Sequence, residues 1–142
     1  MDVRFLHQEE QREERNYLHR PLFSGLFFTS MKKTVSLKNS IEFQNVYRNG
    51  RKYANKFLIM YVKGNNQSGN RLGLSISKKV GNSVVRHHMA RLLRESYRLH
   101  EEMFSSGLDI VIVVRPDAGN CRYSEIESAV LHLAKLHKII DM

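Results

Sequence analysis

The sequence predicts an α+β fold, an α/β sandwich, and three segments carry that reading. Arg71 to Ser77 alternates, with Leu72, Leu74 and Ile76 on one face and Arg71, Gly73, Ser75 and Ser77 on the other, as a half-buried strand does. Leu108 to Val114 is an apolar run broken only by Asp109, which suits a central strand covered on both faces. Between them, Ser83 to Glu102 carries apolar residues at helical spacing. The full order is helix, two or three strands, helix, strand, helix, and such a succession packs as layers around one core.

The elements follow in order. Lys38-Asn39-Ser40 supplies a cap for a first helix with Ile41, Phe43, Val46 and Tyr47, and Asn49-Gly50 ends it. A short strand fits near Lys52–Asn55. Phe57 to Val62 reads as a strand bounded by Gly64-Asn65-Asn66. It is expected to form an antiparallel hairpin with the 71–77 strand across that polar loop. Gly81-Asn82-Ser83 breaks the second strand and opens the long helix, and Phe104-Ser105-Ser106-Gly107 closes it. Arg115-Pro116 stops the last strand. Ser124 is expected to cap a final helix carrying Ile126, Val130, Leu133, Ala134 and Leu136.

At 142 residues the chain supports one domain, at 31–142, preceded by an extension over 1–30. The extension is polar and charged from Gln8 to Glu14, then apolar from Pro21 to Phe28, and is expected to be disordered or not natively translated, with Met31-Lys32-Lys33 as the start. Its apolar stretch is short and follows acidic residues, unlike a secretion signal. No run approaches the roughly 18 apolar residues that span a bilayer. A single cysteine, Cys121, excludes an intramolecular disulfide framework and fits the cytoplasm.

Charge points to the partner. The chain has 23 Lys and Arg against 14 Asp and Glu, a net of +9. Residues 1–30 hold four basic and five acidic groups, so residues 31–142 hold the remaining 19 and 9, a net of +10. Between Lys32 and Arg98 there are 15 basic residues and two acidic ones, Glu42 and Glu95. That imbalance attracts polyanions by phosphate contact and counterion release.

The long helix sorts its residues by face. At about 100° per residue, Val85, Met89, Leu92, Ser96, Leu99 and Met103 fall within about 40° of one direction, an apolar stripe expected to face the sheet. His87, Arg91, Arg94 and Arg98 share about 60° of arc on the opposite side, with Arg86 on the flank. Glu95 alone lies close enough to neutralise them. Like charges at these spacings destabilise an isolated helix slightly, so their retention points to phosphate, which Arg grips bidentately.

The segment Ser75-Ile76-Ser77-Lys78-Lys79-Val80-Gly81-Asn82-Ser83-Val84-Val85-Arg86, continuing to Arg91, Arg94 and Glu95, resembles the protein subunit of bacterial ribonuclease P. The resemblance spans roughly Met31 to Leu136 and includes Phe43 and Tyr47, Ala54-Asn55, Tyr61 and the Gly-Leu-Ser-x-Ser strand, here Gly73 to Ser77. The family's Arg-Asn-Arg triplet is Arg86-His87-His88 in this chain, and the Lys that follows is Ala90. The resemblance implies the order α-β-β-β-α-β-α, a mixed four-stranded sheet and a left-handed βαβ crossover. It implies a protein that assists a catalytic RNA in removing the 5′ leader from precursor tRNA, the hydrolysis and its Mg2+ belonging to the RNA. The protein itself then holds no metal and is monomeric when free.

Two surfaces follow. Lys78, Lys79, Arg86, His87, His88, Arg91, Arg94 and Arg98 are expected to bind the catalytic RNA. Phe43, Tyr47, Tyr61, Ser75 and Ser77 are expected to line an open cleft for the leader, with Phe57 and Ile59 on the face of Tyr61, because single strands bind by stacking over a basic groove. Other constellations are poor. His132 and His137 are five apart on a helix and do not share a face, and Cys121 has no base nearby in sequence. A ribosomal-protein-like RNA-binding module is the alternative, and it has no need of the aromatic cleft. An independent nuclease would need an acidic or histidine site that the sequence lacks.

Overall fold

The computed structural model describes residues 33–141, so the extension at 1–30 lies outside the described residues. At the centre is a five-stranded mixed sheet. In chain order the elements are β1 (Thr34–Ser36), α1 (Ser40–Asn49), β2 (Arg51–Ala54), β3 (Leu58–Gly64), β4 (Asn70–Ser75), α2 (Ser83–His100), β5 (Leu108–Val114) and α3 (Tyr123–His137). Short 3-10 turns at Glu101–Met103 and Pro116–Ala118 follow α2 and β5. The strands lie side by side as β1-β4-β5-β3-β2.

The α+β class and the central place of β5 match the sequence expectation. Two features differ. The sheet has a fifth strand, β1, which pairs parallel to β4 through Val35 opposite Arg71. Second, β3 and β4 do not form a hairpin, because β5 inserts between them. It runs antiparallel to β3, with Met60 opposite Ile112, and parallel to β4, with Leu74 opposite Ile112. A strand as apolar as Ile110 to Val114 keeps both backbone edges away from water only inside a sheet. The 65–69 loop steps across its start. There the Asn65 amide nitrogen donates to the Gly107 carbonyl at 2.9 Å and its side chain donates to Asp109 at 3.0 Å.

Period-2 alternation divides the core in two. Leu58, Met60, Leu74, Ile110 and Ile112 face α2 and α3, meeting Leu93, Tyr97, Ile126 and Leu133. Tyr61, Val111 and Val113 face α1, meeting Leu37, Phe43 and Val46. Phe57 packs with the first group, not beside Tyr61 as expected, since it precedes β3 and is outside its alternation.

Polar contacts fix the layers to one another. The Asn39 side chain caps α1 by accepting from the Glu42 amide at 2.9 Å, and the Gly50 N–H closes it on the Val46 carbonyl at 2.8 Å. Ser124 does not cap α3. The cap position is Arg122, two residues earlier, with the Glu125 carboxylate accepting from the Arg122 amide at 3.0 Å. On β4, Arg71 grips Asp109 of β5 and Glu42 of α1 together. On α2, the buried Tyr97 hydroxyl meets Thr34 of β1 at 2.8 Å and Asn70 of β4 at 3.2 Å. Among the described residues no helix is long and apolar enough to cross a membrane.

Candidate nucleic-acid interface

The parallel β4–α2–β5 connection lays α2 across the sheet with its first turn beside the end of β4. Lys78 and Lys79, both exposed, occupy the turn between them. Asn82 caps α2, its side chain accepting from the Val85 amide at 3.0 Å. The partial positive charge of the helix start thus adds to two ammonium groups, a combination suited to phosphate.

The helix is rotated relative to the expected stripe. Met89, Ala90, Leu93, Ser96 and Tyr97 are buried, while Val85 and Leu92 are half-buried and Leu99 is 54% exposed. At about 100° per residue the buried face is centred about 80° from Val85. The bulk of Leu93 and the hydrogen-bonded ring of Tyr97 set that angle. Ala90, at the position of the family's Lys, is fully buried and contributes packing.

After the rotation His87, His88, Arg91 and Arg98 still face outward, Arg94 lies on the flank, and Arg86, about 20° from the centre of the buried face, reaches solvent only from the first turn. His88 and Arg91 are exposed, and Arg86, His87, Arg94 and Arg98 are half-exposed. Arg98 is partly neutralised, since its guanidinium holds the Glu95 carboxylate in a two-point hydrogen bond, with Nε at 3.1 Å from Oε2. That guanidinium pulls the Glu95 pKa down.

The expected cleft residues come together on the α1 face. Tyr47 meets Tyr61 edge-on with ring centroids 4.8 Å apart, and Phe43 lies 6.4 Å from Tyr47. Their exposure differs from expectation. Phe43 is only 2% exposed and Tyr61 3%, because α1 sits directly on the sheet. Gly73 makes the close approach possible, since a Cβ there would lie 2.6 Å from Phe43 Cζ. Ser75 and Ser77 are buried as well. Among the described residues Ser75 Oγ has no hydrogen-bond partner, and Ser77 Oγ accepts from the Lys79 amide at 3.3 Å. Tyr47 and Ile59, both half-buried, form the rim that stays accessible.

Sequence reading missed Lys52. On β2 it stands opposite Tyr61, with its ammonium 6.0 Å from that ring's centroid. Only the strand register reveals the pair.

The titratable groups elsewhere are structural. Glu127 of α3 accepts from Tyr123 at 3.1 Å and lies 3.0 Å from His100 Nε2. Burial, then the bond to Glu127, pushes the Tyr123 pKa up to about 12. Burial pushes the Cys121 thiol up, away from the reactive thiolate. Among the described residues no group of three or more His, Cys, Asp or Glu could hold a metal ion.

The family model described as Ribonuclease P matches residues 31–138. The ribonuclease P protein component of Lachnoclostridium phytofermentans is 65% identical over 106 residues, covering 75% of this chain and 91% of its own length. That of Alkaliphilus metalliredigens is 48% identical over 111 residues, covering 78% of this chain and 100% of its own. The solved RNase P protein of Staphylococcus aureus superposes with a TM-score of 0.70 at 30% identity, covering 75% of this chain and 97% of that one. The fold also matches the RNase P protein of Thermotoga maritima, with a TM-score of 0.62 at 22% identity over 66% of this chain and 89% of that one.

Proposed function

The chain belongs to the ribonuclease P protein family, and from that membership we propose how its two surfaces divide the work of the ribonucleoprotein. It is the protein component of an endoribonuclease, acting with RNA in tRNA processing. Lys78, Lys79, Arg86, Arg91 and Arg94 bind the catalytic RNA, whose folded strands present fixed phosphates to a rigid helix. His87 and His88 add hydrogen bonds there, and positive charge when protonated. Arg98 contributes less, being shared with Glu95.

The 5′ leader of precursor tRNA passes along the rim of the α1 face. Tyr47 offers the accessible aromatic surface, and Phe43 and Tyr61 hold it in place from beneath. This is a narrower platform than a fully open cleft, and stacking on one or two rings contributes about 1–3 kcal/mol per base.

Hydrolysis and its Mg2+ belong to the RNA. Among the described residues no group of three or more His, Cys, Asp or Glu could hold a metal ion, and the buried Asp109 is held by Arg71 and Glu127 by His100 and Tyr123. The protein's part is to bind and orient, in the cytoplasm and as a monomer before assembly. The observation that carries this reading is the separation of an outward basic helix from an aromatic rim on the sheet's other layer.

Reconstitution with a bacterial ribonuclease P RNA and precursor tRNA at low magnesium tests it. The protein stimulates leader removal if the reading holds, and absence of stimulation contradicts it.

A further inference from the structure

One cross-strand row spans the α1 face of the sheet. Gly73 of β4 stands opposite Val111 of β5, Val111 opposite Tyr61 of β3, and Tyr61 opposite Lys52 of β2. Residues directly opposite in neighbouring strands share a face, so Lys52 extends the aromatic rim to the edge of the sheet. The α1 helix covers the Gly73 end of the row, where Phe43 fills the space of the missing Cβ. It leaves the Lys52 end exposed.

The ammonium is held loosely. Its distance of 6.0 Å from the Tyr61 centroid is at the outer limit of a cation–π contact. No carboxylate among the described residues pairs with it. The neighbouring Tyr53 and Arg51 point to the other face, where Tyr53 meets His137 of α3. Lys52 is thus the cation of β2 that accompanies Tyr47 and Tyr61.

We infer that Lys52 is a leader-binding residue, pairing with a backbone phosphate of the single strand whose base lies on Tyr47. The inference rests on the assignment of the α1 rim to the leader. An aromatic ring flanked by a mobile ammonium suits a single strand, since the ring takes any base and the charge takes the phosphate beside it. A compact ammonium on a flexible stem follows a moving backbone without fixing its register. Lys52 therefore raises affinity for precursors irrespective of leader sequence.

The test measures binding of precursor tRNA and mature tRNA to reconstituted holoenzyme over a salt series, for wild type, Lys52→Gln, Lys52→Arg and Tyr47→Ala. Lys52→Gln is expected to weaken precursor binding about fivefold, as fits one exposed ion pair. It reduces the salt slope by about 0.7, the value for one single-strand phosphate. Mature tRNA binding stays at the wild-type level, and Lys52→Arg restores precursor affinity. If Tyr47→Ala weakens precursor binding while Lys52→Gln leaves affinity and slope unchanged, the Lys52 assignment is overturned and the rim assignment stands. If neither variant weakens precursor binding, both are overturned. Equal reductions for precursor and mature tRNA overturn the Lys52 assignment, because they place its charge outside the leader.

Discussion

Arg71 and Asp109 form a two-point ion pair, with Nε 2.8 Å from Oδ1 and Nη2 2.7 Å from Oδ2, and Asp109 is only 1% exposed. The pair ties β4 to β5, and the bond of Arg71 to Glu42 ties both strands to α1. The bonds to Asp109 hold the Arg71 pKa above its ordinary value. Breaking a buried pair on one side leaves a charge without its partner. Asp109→Ala is expected to lower the unfolding free energy by about 3 kcal/mol in urea titrations. The decrease stays at the low end because Arg71 keeps Glu42 and reaches solvent. Asp109→Leu combined with Arg71→Met recovers most of it.

Gly73 links packing to the aromatic rim. A Cβ there would lie 2.6 Å from Phe43 Cζ and 2.7 Å from Cε1, so Gly73→Ala forces the ring to move. Overpacking of this kind costs about 1–3 kcal/mol. Because Phe43 supports Tyr47, precursor affinity should fall with stability, while assembly on the catalytic RNA stays near wild type. Thermal melts together with the two binding assays check this.

His137 makes stability depend on acidity. It is buried at the end of α3, within 2.9 Å of the Met60 carbonyl through Nε2, against the Tyr53 ring. Its Nε2 then carries the hydrogen and donates it. Burial lowers its pKa from 6.5, and the charge of Arg51 adds to that, against the opposing effect of the Met60 bond. The folded state therefore resists a proton that the unfolded chain accepts. Stability from this group is complete above about pH 6.5 and declines as the pH falls below it. In His137→Gln, which keeps a donor for Met60, the decline of unfolding free energy below about pH 6.5 should be shallower than in wild type. An identical pH dependence would contradict the assignment.

Much of the fold is legible in the sequence, for identifiable reasons. The apolar run at 108–114 demands a central strand, and Asn39, Gly50 and Asn82 mark helix ends through local chemistry that tertiary packing does not override. The three residues of β1 carry no detectable alternation, and only pairing with β4 makes them a strand. The absent hairpin has the same origin, since the order of strands in a sheet depends on what covers β5. A helical projection misplaces the buried face of α2 because Leu92 and Leu99 count as apolar in it, whereas Tyr97, buried against the core and Phe104, also satisfies its hydroxyl through Thr34 and Asn70. The aromatic residues of the rim are identifiable from the family resemblance, but the burial of Phe43 and Tyr61 depends on how closely α1 approaches Gly73.

The central claim is that one protein holds two RNAs on separate surfaces. It is tested most directly by measuring, on the same variants, assembly with the catalytic RNA and the ratio of precursor to mature tRNA affinity. Arg91→Ala with Arg94→Ala should weaken assembly and reduce its salt slope by about 0.7–0.9 for each phosphate no longer neutralised. Once saturated with protein, that holoenzyme should keep the wild-type ratio. Tyr47→Ala should assemble normally and lower the ratio. Parallel reductions in both assays for both variants would contradict the two-surface account.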